Sequence, residues 1–235
     1  MVIPVKAFEI KEDADDKFLY DRLNGYRLEE TLELSDGQNL TLITEVLDLE
    51  QEERVIRGVF SKDIVREHLY RRKLIENPTT EEALFWIIHS QDRCFLIVSA
   101  PSVARGVKKL LSNHVANSLS EILFNTIGAI VEVRIPSETL VALHESNPQA
   151  TNLIWFDDVD IPGVNKLCLA GESLSDTNLY RDYLNHGNIW YVVFGIKKRG
   201  ITVGVTRSCV VTLFSKLTVE EFVQCVTEDL LTLVE

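Results

Sequence analysis

The sequence predicts an α+β fold, with mixed or antiparallel sheets that carry helices on one face. Three observations support this prediction. Strand-like and helix-like segments follow one another without the strict alternation of a parallel sheet. An Asp36-Gly37 dipeptide separates two segments whose leucines recur at every second position. Near the C terminus, three β-rich segments come before a helix start signal, which predicts a C-terminal β-meander followed by an amphipathic helix.

The first half of the chain is predicted to begin with a strand over residues 2–10 and a short helix over 15–25 that ends at Gly25. Asp-Gly is the strongest short-range hairpin signal, because both turn positions favour positive φ. Strands are therefore expected on either side of residues 36–37, and a further strand is expected over 55–60.

The middle of the chain alternates between predicted helices and strands. Residues 63–75 show Ile64, Val65, His68, Leu69 and Leu74 at helical spacing, with charged residues between them, which predicts a helix. Two strands are predicted next, over 83–89 and 94–98. Pro101 then opens a predicted helix that runs to about residue 123.

The second half contains three predicted strands, near 129–135, 153–156 and 166–170, and a helix over 176–186 with Ser175 as its N-cap. The meander strands are predicted over 189–196, 201–206 and 209–214. Thr218 and Glu221 then form a predicted capping box, since each side chain can bond a free N–H at the helix start. The helix that follows is expected to bury one stripe of residues: Val219, Phe222, Val223, Val226 and Leu230.

A length of 235 residues fits one large domain or two small ones. We predict an N-terminal α+β half over residues 1–126, which contains the basic middle segment, and a C-terminal α+β half over 127–235. A single domain remains the alternative.

The composition predicts a cytoplasmic protein without a membrane span. Apolar residues make up 46% of the chain, but they do not form an uninterrupted stretch of 18, and the first residues do not resemble a secretory signal. The cysteines lie far apart among apolar residues, without a CxxC pair, and are expected to be buried free thiols: Cys94, Cys168, Cys209 and Cys225. The histidines show no metal-ligand spacing, and neither a metal nor a cofactor is predicted.

Two motifs resemble catalytic signatures but lack an essential residue. The glycine spacing of residues 195–200 matches a phosphate-binding loop, but Ile201 stands where that loop needs lysine, so a hairpin turn is predicted. Residues 171–175 resemble a nucleophile elbow around Ser173, but Ser175 replaces its second glycine. No catalytic residue is therefore assigned.

The charge distribution is uneven. The net charge is −12. Residues 1–53 hold 5 basic and 15 acidic side chains, residues 54–109 hold 11 and 6, and residues 110–235 hold 8 and 15. The middle segment is thus a basic region in an acidic protein, and such a region binds phosphates if it is exposed. Neutralisation by the preceding acidic segment, or across a homodimer, is the alternative.

From this basic segment we predict a non-enzymatic binding protein that contacts a nucleic acid or an acidic protein partner. The expected contact residues are Arg66, Arg71, Arg72, Lys73, Arg105, Lys108 and Lys109. One alternative is a metal-dependent phosphodiesterase or nuclease that uses Asp157, Asp158 and Asp160 with Glu132. Another is a structural subunit of a larger assembly, for which an obligate homodimer would be one sign.

Overall fold

The structure is a computed structural model, and it describes residues 3–35, 37–90, 92–99 and 111–234. It is an α+β structure with an antiparallel sheet, as the sequence predicts. The strands in the described residues are β1 (Ile3–Ile10), β2 (Arg27–Glu33), β3 (Asn39–Glu52), β4 (Val55–Tyr70), β5 (Lys73–Ser90), β6 (Arg93–Ser99), β7 (Ile130–Glu132), β8 (Thr151–Asp157), β9 (Leu167–Ala170), β10 (Asn188–Ile196), β11 (Ile201–Thr206) and β12 (Val210–Leu213). The α-helices are α1 (Asp16–Leu23), α2 (Ser112–Phe124), α3 (Ser137–Ser146), α4 (Asn178–His186) and α5 (Val219–Cys225).

The chain forms two compact units. One comprises residues 8–131 and the other comprises residues 1–7 with 132–235. Strand β1 therefore contributes residues to both units. Apart from this N-terminal strand, the division falls close to residue 126, where the two halves of the chain were predicted to meet. That the two units are separate domains stays a prediction.

The unit of residues 8–131 contains consecutive strands in the order β2-β3-β4-β5-β6, with β1 next to β6. Helices α1 and α2 pack on one sheet face because both carry an apolar stripe. The core joins these stripes to alternate residues of the strands, among them Leu19 and Leu23 of α1, Val115 and Leu119 of α2, and Phe60, Phe85 and Leu96 of the sheet. Where β6 and β1 lie side by side, Nε and Nη2 of Arg93 donate to the two oxygens of the Glu9 carboxylate, at 2.9 and 2.8 Å.

The unit of residues 132–235 contains the strand order β1-β12-β11-β10-β8-β9. The predicted meander is present as β10, β11 and β12, and the predicted capping box precedes α5. Thr218 accepts from the Glu221 N–H, and the Glu221 carboxylate accepts from the Thr218 N–H. Four of the five predicted stripe residues are buried, whereas Val219 is half-buried. Helix α4 starts at Asn178, two residues later than predicted, because Thr177 rather than Ser175 caps it.

Candidate functional site

The predicted contact residues of the first basic stretch lie on a β-hairpin. Strands β4 and β5 pair continuously from Val55 opposite Ile88 to Tyr70 opposite Lys73. Strand β3 pairs with β4 only as far as Lys62, and β6 pairs with β5 only from Leu84 onward. Within the described residues, positions 63–80 thus form a two-stranded extension of the sheet. We call these residues the hairpin arm, and residues 69–74 its tip.

The prediction of a helix over residues 63–75 is wrong, because these residues belong to strands β4 and β5 and the turn between them. The spacing of Ile64, Val65, His68 and Leu69 fits a helix, but it is equally compatible with two faces of a strand. The β-branched residues of this region, Ile64, Val65, Thr79 and Thr80, favour extended backbone. Sixteen consecutive pairs between β4 and β5 stabilise that conformation in the structure. Arg66, Arg71, Arg72 and Lys73 are therefore hairpin residues.

The turn at the tip has an unusual sequence for its geometry. Arg71 and Arg72 form a two-residue loop, and both have positive φ, at 48° and 66°. Two-residue hairpin loops of this kind favour Asn-Gly or Asp-Gly, because other residues pay a steric cost in left-handed backbone. The chain thus has two arginines at the positions where they fit the backbone least well. Such local strain is typical of functional sites.

The two faces of the tip differ in chemistry. Leu69 and Leu74 lie opposite each other on one face, with 74% and 56% of their surface exposed. Tyr70 and Lys73 lie opposite each other on the other face, and the Arg71 guanidinium lies 5.4 Å from the centre of the Tyr70 ring. The tip therefore combines exposed apolar side chains, an aromatic ring and three cations. The sequence suggested none of this exposure, because a helix would have placed both leucines inward.

Hydrogen bonds and ion pairs divide the cations of the basic segment into two groups. The first group is bound to carboxylates: Arg57 to Glu50, Arg66 to Glu81 and Arg93 to Glu9. Two of these carboxylates belong to the acidic first segment, so the predicted neutralisation occurs for Arg57 and Arg93. The second group has no carboxylate partner among the described residues and comprises Arg54, Lys62, Arg71, Arg72 and Lys73. Of these cations, Arg71, Arg72 and Lys73 are adjacent to one another at the tip.

The arm also carries three carboxylates, Asp63, Glu67 and Glu76, and none of them is paired with a tip cation among the described residues. Glu67 and Glu76 are opposite each other on the face that carries the two leucines. The side chain and the backbone N–H of Ser35 donate to Glu76, at 2.6 and 2.7 Å. These bonds lower the pKa of Glu76, with the side-chain hydrogen bond as the larger cause. The acidic pair thus makes the tyrosine face the more cationic side of the arm.

The second predicted basic stretch lies outside the described residues. Arg105, Lys108 and Lys109 belong to residues 100–110, and the helix predicted from Pro101 is described only as α2, from Ser112. Whether these cations share a surface with the arm stays a prediction.

The carboxylates of the phosphodiesterase alternative do not form a metal cluster. Glu132, Asp157 and Asp158 line one cavity, but Asp160 lies outside it and binds His186 at 2.7 Å. Arg207 donates to Asp157 at 2.6 Å and to Asp158 at 3.2 Å, while Lys6 binds Glu132. In the described part of the chain, no group of three or more His, Cys, Asp or Glu residues is arranged to hold a metal ion.

The two motifs that resemble catalytic signatures lie in a hairpin turn and at the start of a short 3-10 turn. Residues 196–201 form the hairpin turn between β10 and β11, as predicted, and two of its three cations bind the carboxylates Glu228 and Asp229. Ser173 precedes a short 3-10 turn and does not cap α4.

The four cysteines are free thiols, but they are not equally buried. Cys209 and Cys225 are buried as predicted, Cys94 is half-buried and Cys168 is exposed. Cys168 is exposed because its side chain points away from the buried side of β9, where Leu169 faces the core.

Comparisons with known proteins assign no family. No protein-family model matches the chain, and no curated protein matches it. The helices among the described residues are all too short or too polar to cross a membrane.

Proposed function

We propose that this protein is a non-enzymatic nucleic-acid-binding protein that contacts phosphates through the tip of the hairpin arm. The observation that carries the proposal is the exposed left-handed turn of Arg71 and Arg72, next to Lys73. These cations have no carboxylate partner among the described residues, whereas Arg57, Arg66 and Arg93 are bound to carboxylates. Unpaired cations bind phosphates with a gain from counterion release.

The shape of the arm favours a nucleic acid over an acidic protein as the partner. A two-stranded β-ribbon fits the major groove of a DNA duplex, and an arm of this kind brings its turn close to the phosphates. Tyr70 adds an aromatic ring beside the cations, and aromatic rings stack on bases. The proposed contact is made mainly with the backbone, so little base specificity is expected.

The acidic remainder of the protein restricts binding to the arm. The net charge of −12 repels polyanions, so a nucleic acid approaches favourably only where cations are concentrated. Arg105, Lys108 and Lys109 are proposed as a second set of contacts, and a cytoplasmic location would give the arm access to RNA.

The test is binding of labelled duplex DNA and RNA by the protein and by a triple variant, Arg71→Ala, Arg72→Ala and Lys73→Ala. Loss of three phosphate contacts is expected to weaken binding by at least about tenfold at low salt. The matched control removes three exposed cations elsewhere, with Lys17→Ala, Lys197→Ala and Lys216→Ala. It changes the net charge equally and is expected to bind with nearly the affinity of the original chain.

Equal losses in both triple variants would show that only net charge matters, and would refute a site at the tip. Absence of binding at low salt would refute the nucleic-acid proposal. Binding of an acidic polypeptide in place of nucleic acid, lost in the tip variant alone, would also refute it and would identify the other partner class.

A further inference from the structure

We infer that the unit of residues 132–235 contains a binding site for a small organic anion that carries a flat ring. The site is a cavity of about 650 Å³, within the size range of small-molecule pockets. Its walls come from the β7–α3 connection, the end of β8, strand β10 and the β11–β12 turn. Hydrogen bonds join these walls, since the Ile135 N–H donates to the Arg207 carbonyl and the Arg207 N–H donates to the Trp190 carbonyl.

The cavity wall has donors that the protein itself does not use. Arg134 is exposed in the wall, and its guanidinium has no acceptor among the described residues. Arg207 uses only Nη2, for Asp157 and Asp158, which leaves Nε and Nη1 without a described acceptor. Planar guanidinium groups bind carboxylates and phosphates through paired N–H donors. Two such groups in one concave wall therefore favour an anion.

The carboxylates in the wall do not cancel this preference. Arg207 binds Asp157 and Asp158, and Lys6 binds Glu132 at 2.6 Å. The lining residues together with Lys6 therefore hold three cations and three carboxylates. Arg134 is the cation of the wall that has no carboxylate partner among the described residues.

The apolar part of the wall indicates what else the ligand contains. Trp190 is half-buried and lines the cavity together with Ile135 and Pro136. A flat indole beside two apolar residues is suited to contact with a ring, which prefers stacked or edge-on packing. The ligand class is therefore a ring compound that carries a phosphate or a carboxylate.

The test is isothermal titration calorimetry with four probes. Adenosine monophosphate and benzoate carry the two anionic groups, and adenosine and benzamide are their neutral counterparts. At least one anion is expected to bind saturably, and at least about tenfold more tightly than its neutral counterpart, because a charge-assisted bond to arginine is lost in the neutral compound. Which anion binds distinguishes a phosphate ligand from a carboxylate ligand.

Variants assign the binding to this cavity. Arg134→Ala is expected to weaken binding at least about tenfold, and Arg134→Lys less, because lysine keeps the charge but not the planar donors. Arg181→Ala in the same unit removes an exposed arginine that does not line the cavity and whose Nη1 donates to Asn178, and it is expected to have no effect. Binding is expected to persist in the triple variant of the hairpin tip, so this inference and the proposed function can fail separately.

Three results would overturn the inference. They are no saturable binding of either anion, equal binding of an anion and its neutral counterpart, and full binding by Arg134→Ala.

Discussion

The cations of residues 54–109 differ in their neighbours, because some are bound to carboxylates and others are not. Arg93 binds the Glu9 carboxylate at two points, and this contact holds the pKa of Glu9 at about 2, well below its usual value. Arg66 binds Glu81, which is itself buried. A paired cation of this kind contributes to the fold and is a weak ligand for a phosphate. Arg71 and Arg72, which have no carboxylate partner in the described structure, remain able to bind one.

His144 is a buried residue, and we expect it to make the stability of the protein depend on pH. Its ring lies in edge contact with Tyr180, at 4.8 Å between ring centres, and neither ring nitrogen has a hydrogen-bond partner in the described structure. Burial lowers the pKa of His144 in the folded protein, because the charged form would lose its water. Folding therefore favours the neutral form of the His144 ring over the charged form.

We predict that His144→Leu removes part of the acid sensitivity. The unfolded chain takes up a proton at this histidine below pH ~6.5 while the folded chain resists it, so stability is lost as the pH falls, by at most about 1.4 kcal/mol per pH unit. Denaturant titrations at pH 7 and pH 5 measure the loss. The variant is expected to lose less free energy of unfolding than the original chain, and an equal loss would contradict this role of His144.

At the scale of single elements, the hairpin arm combines an unfavourable turn sequence with extensive pairing between its two strands. Left-handed backbone costs roughly 1–2 kcal/mol at a residue with a side chain, and the turn contains two such residues. The pairs along β4 and β5 offset this cost, since the register is continuous to Tyr70 and Lys73. The tip is therefore predicted to be less stable than the same turn would be with a favoured sequence such as Asn-Gly.

We predict that the double variant Arg71→Asn, Arg72→Gly stabilises the protein while it weakens nucleic-acid binding. Asn-Gly fits the turn, and the expected gain in free energy of unfolding is about 1–2 kcal/mol. Two of the three tip cations are lost, so affinity for duplex DNA is expected to fall. Thermal melting and DNA binding are measured on the same samples. A parallel fall of both would mean that the arginines act through folding and would contradict the proposed role of the tip.

Elements with a local signal could be predicted from the sequence, and the arm could not. The antiparallel pairing of β2 with β3 could be predicted from a signal of two adjacent residues in the sequence between them, and the start of α5 depends on Thr218 and Glu221, which are three positions apart. The arm has no such signal, because Arg71-Arg72 lacks the Gly, Asn, Asp or Pro that marks a turn. The partners of Arg57 and Arg93 were also unpredictable, since pairing with Glu50 and Glu9 depends on neighbouring strands.

At the scale of the whole molecule, the two compact units cannot be read from the order of helices and strands along the chain. Residues 1–7 belong to the unit that otherwise begins at residue 132, because Ile3–Lys6 pair with residues 210–213 at the end of the meander. Contacts between the two ends of a chain leave no local pattern. The charge distribution, by contrast, was readable directly from the sequence, and the structure shows which of its cations are bound to carboxylates.

The central claim is that the arm tip supplies phosphate contacts, and the salt dependence of duplex DNA binding tests it most directly. Each contact contributes about 0.9 to the slope of log affinity against log salt concentration. The triple variant at Arg71, Arg72 and Lys73 is expected to lower the magnitude of that slope by about 2.7, and the matched control at Lys17, Lys197 and Lys216 is expected to leave it unchanged. An unchanged slope in the tip variant would contradict the claim.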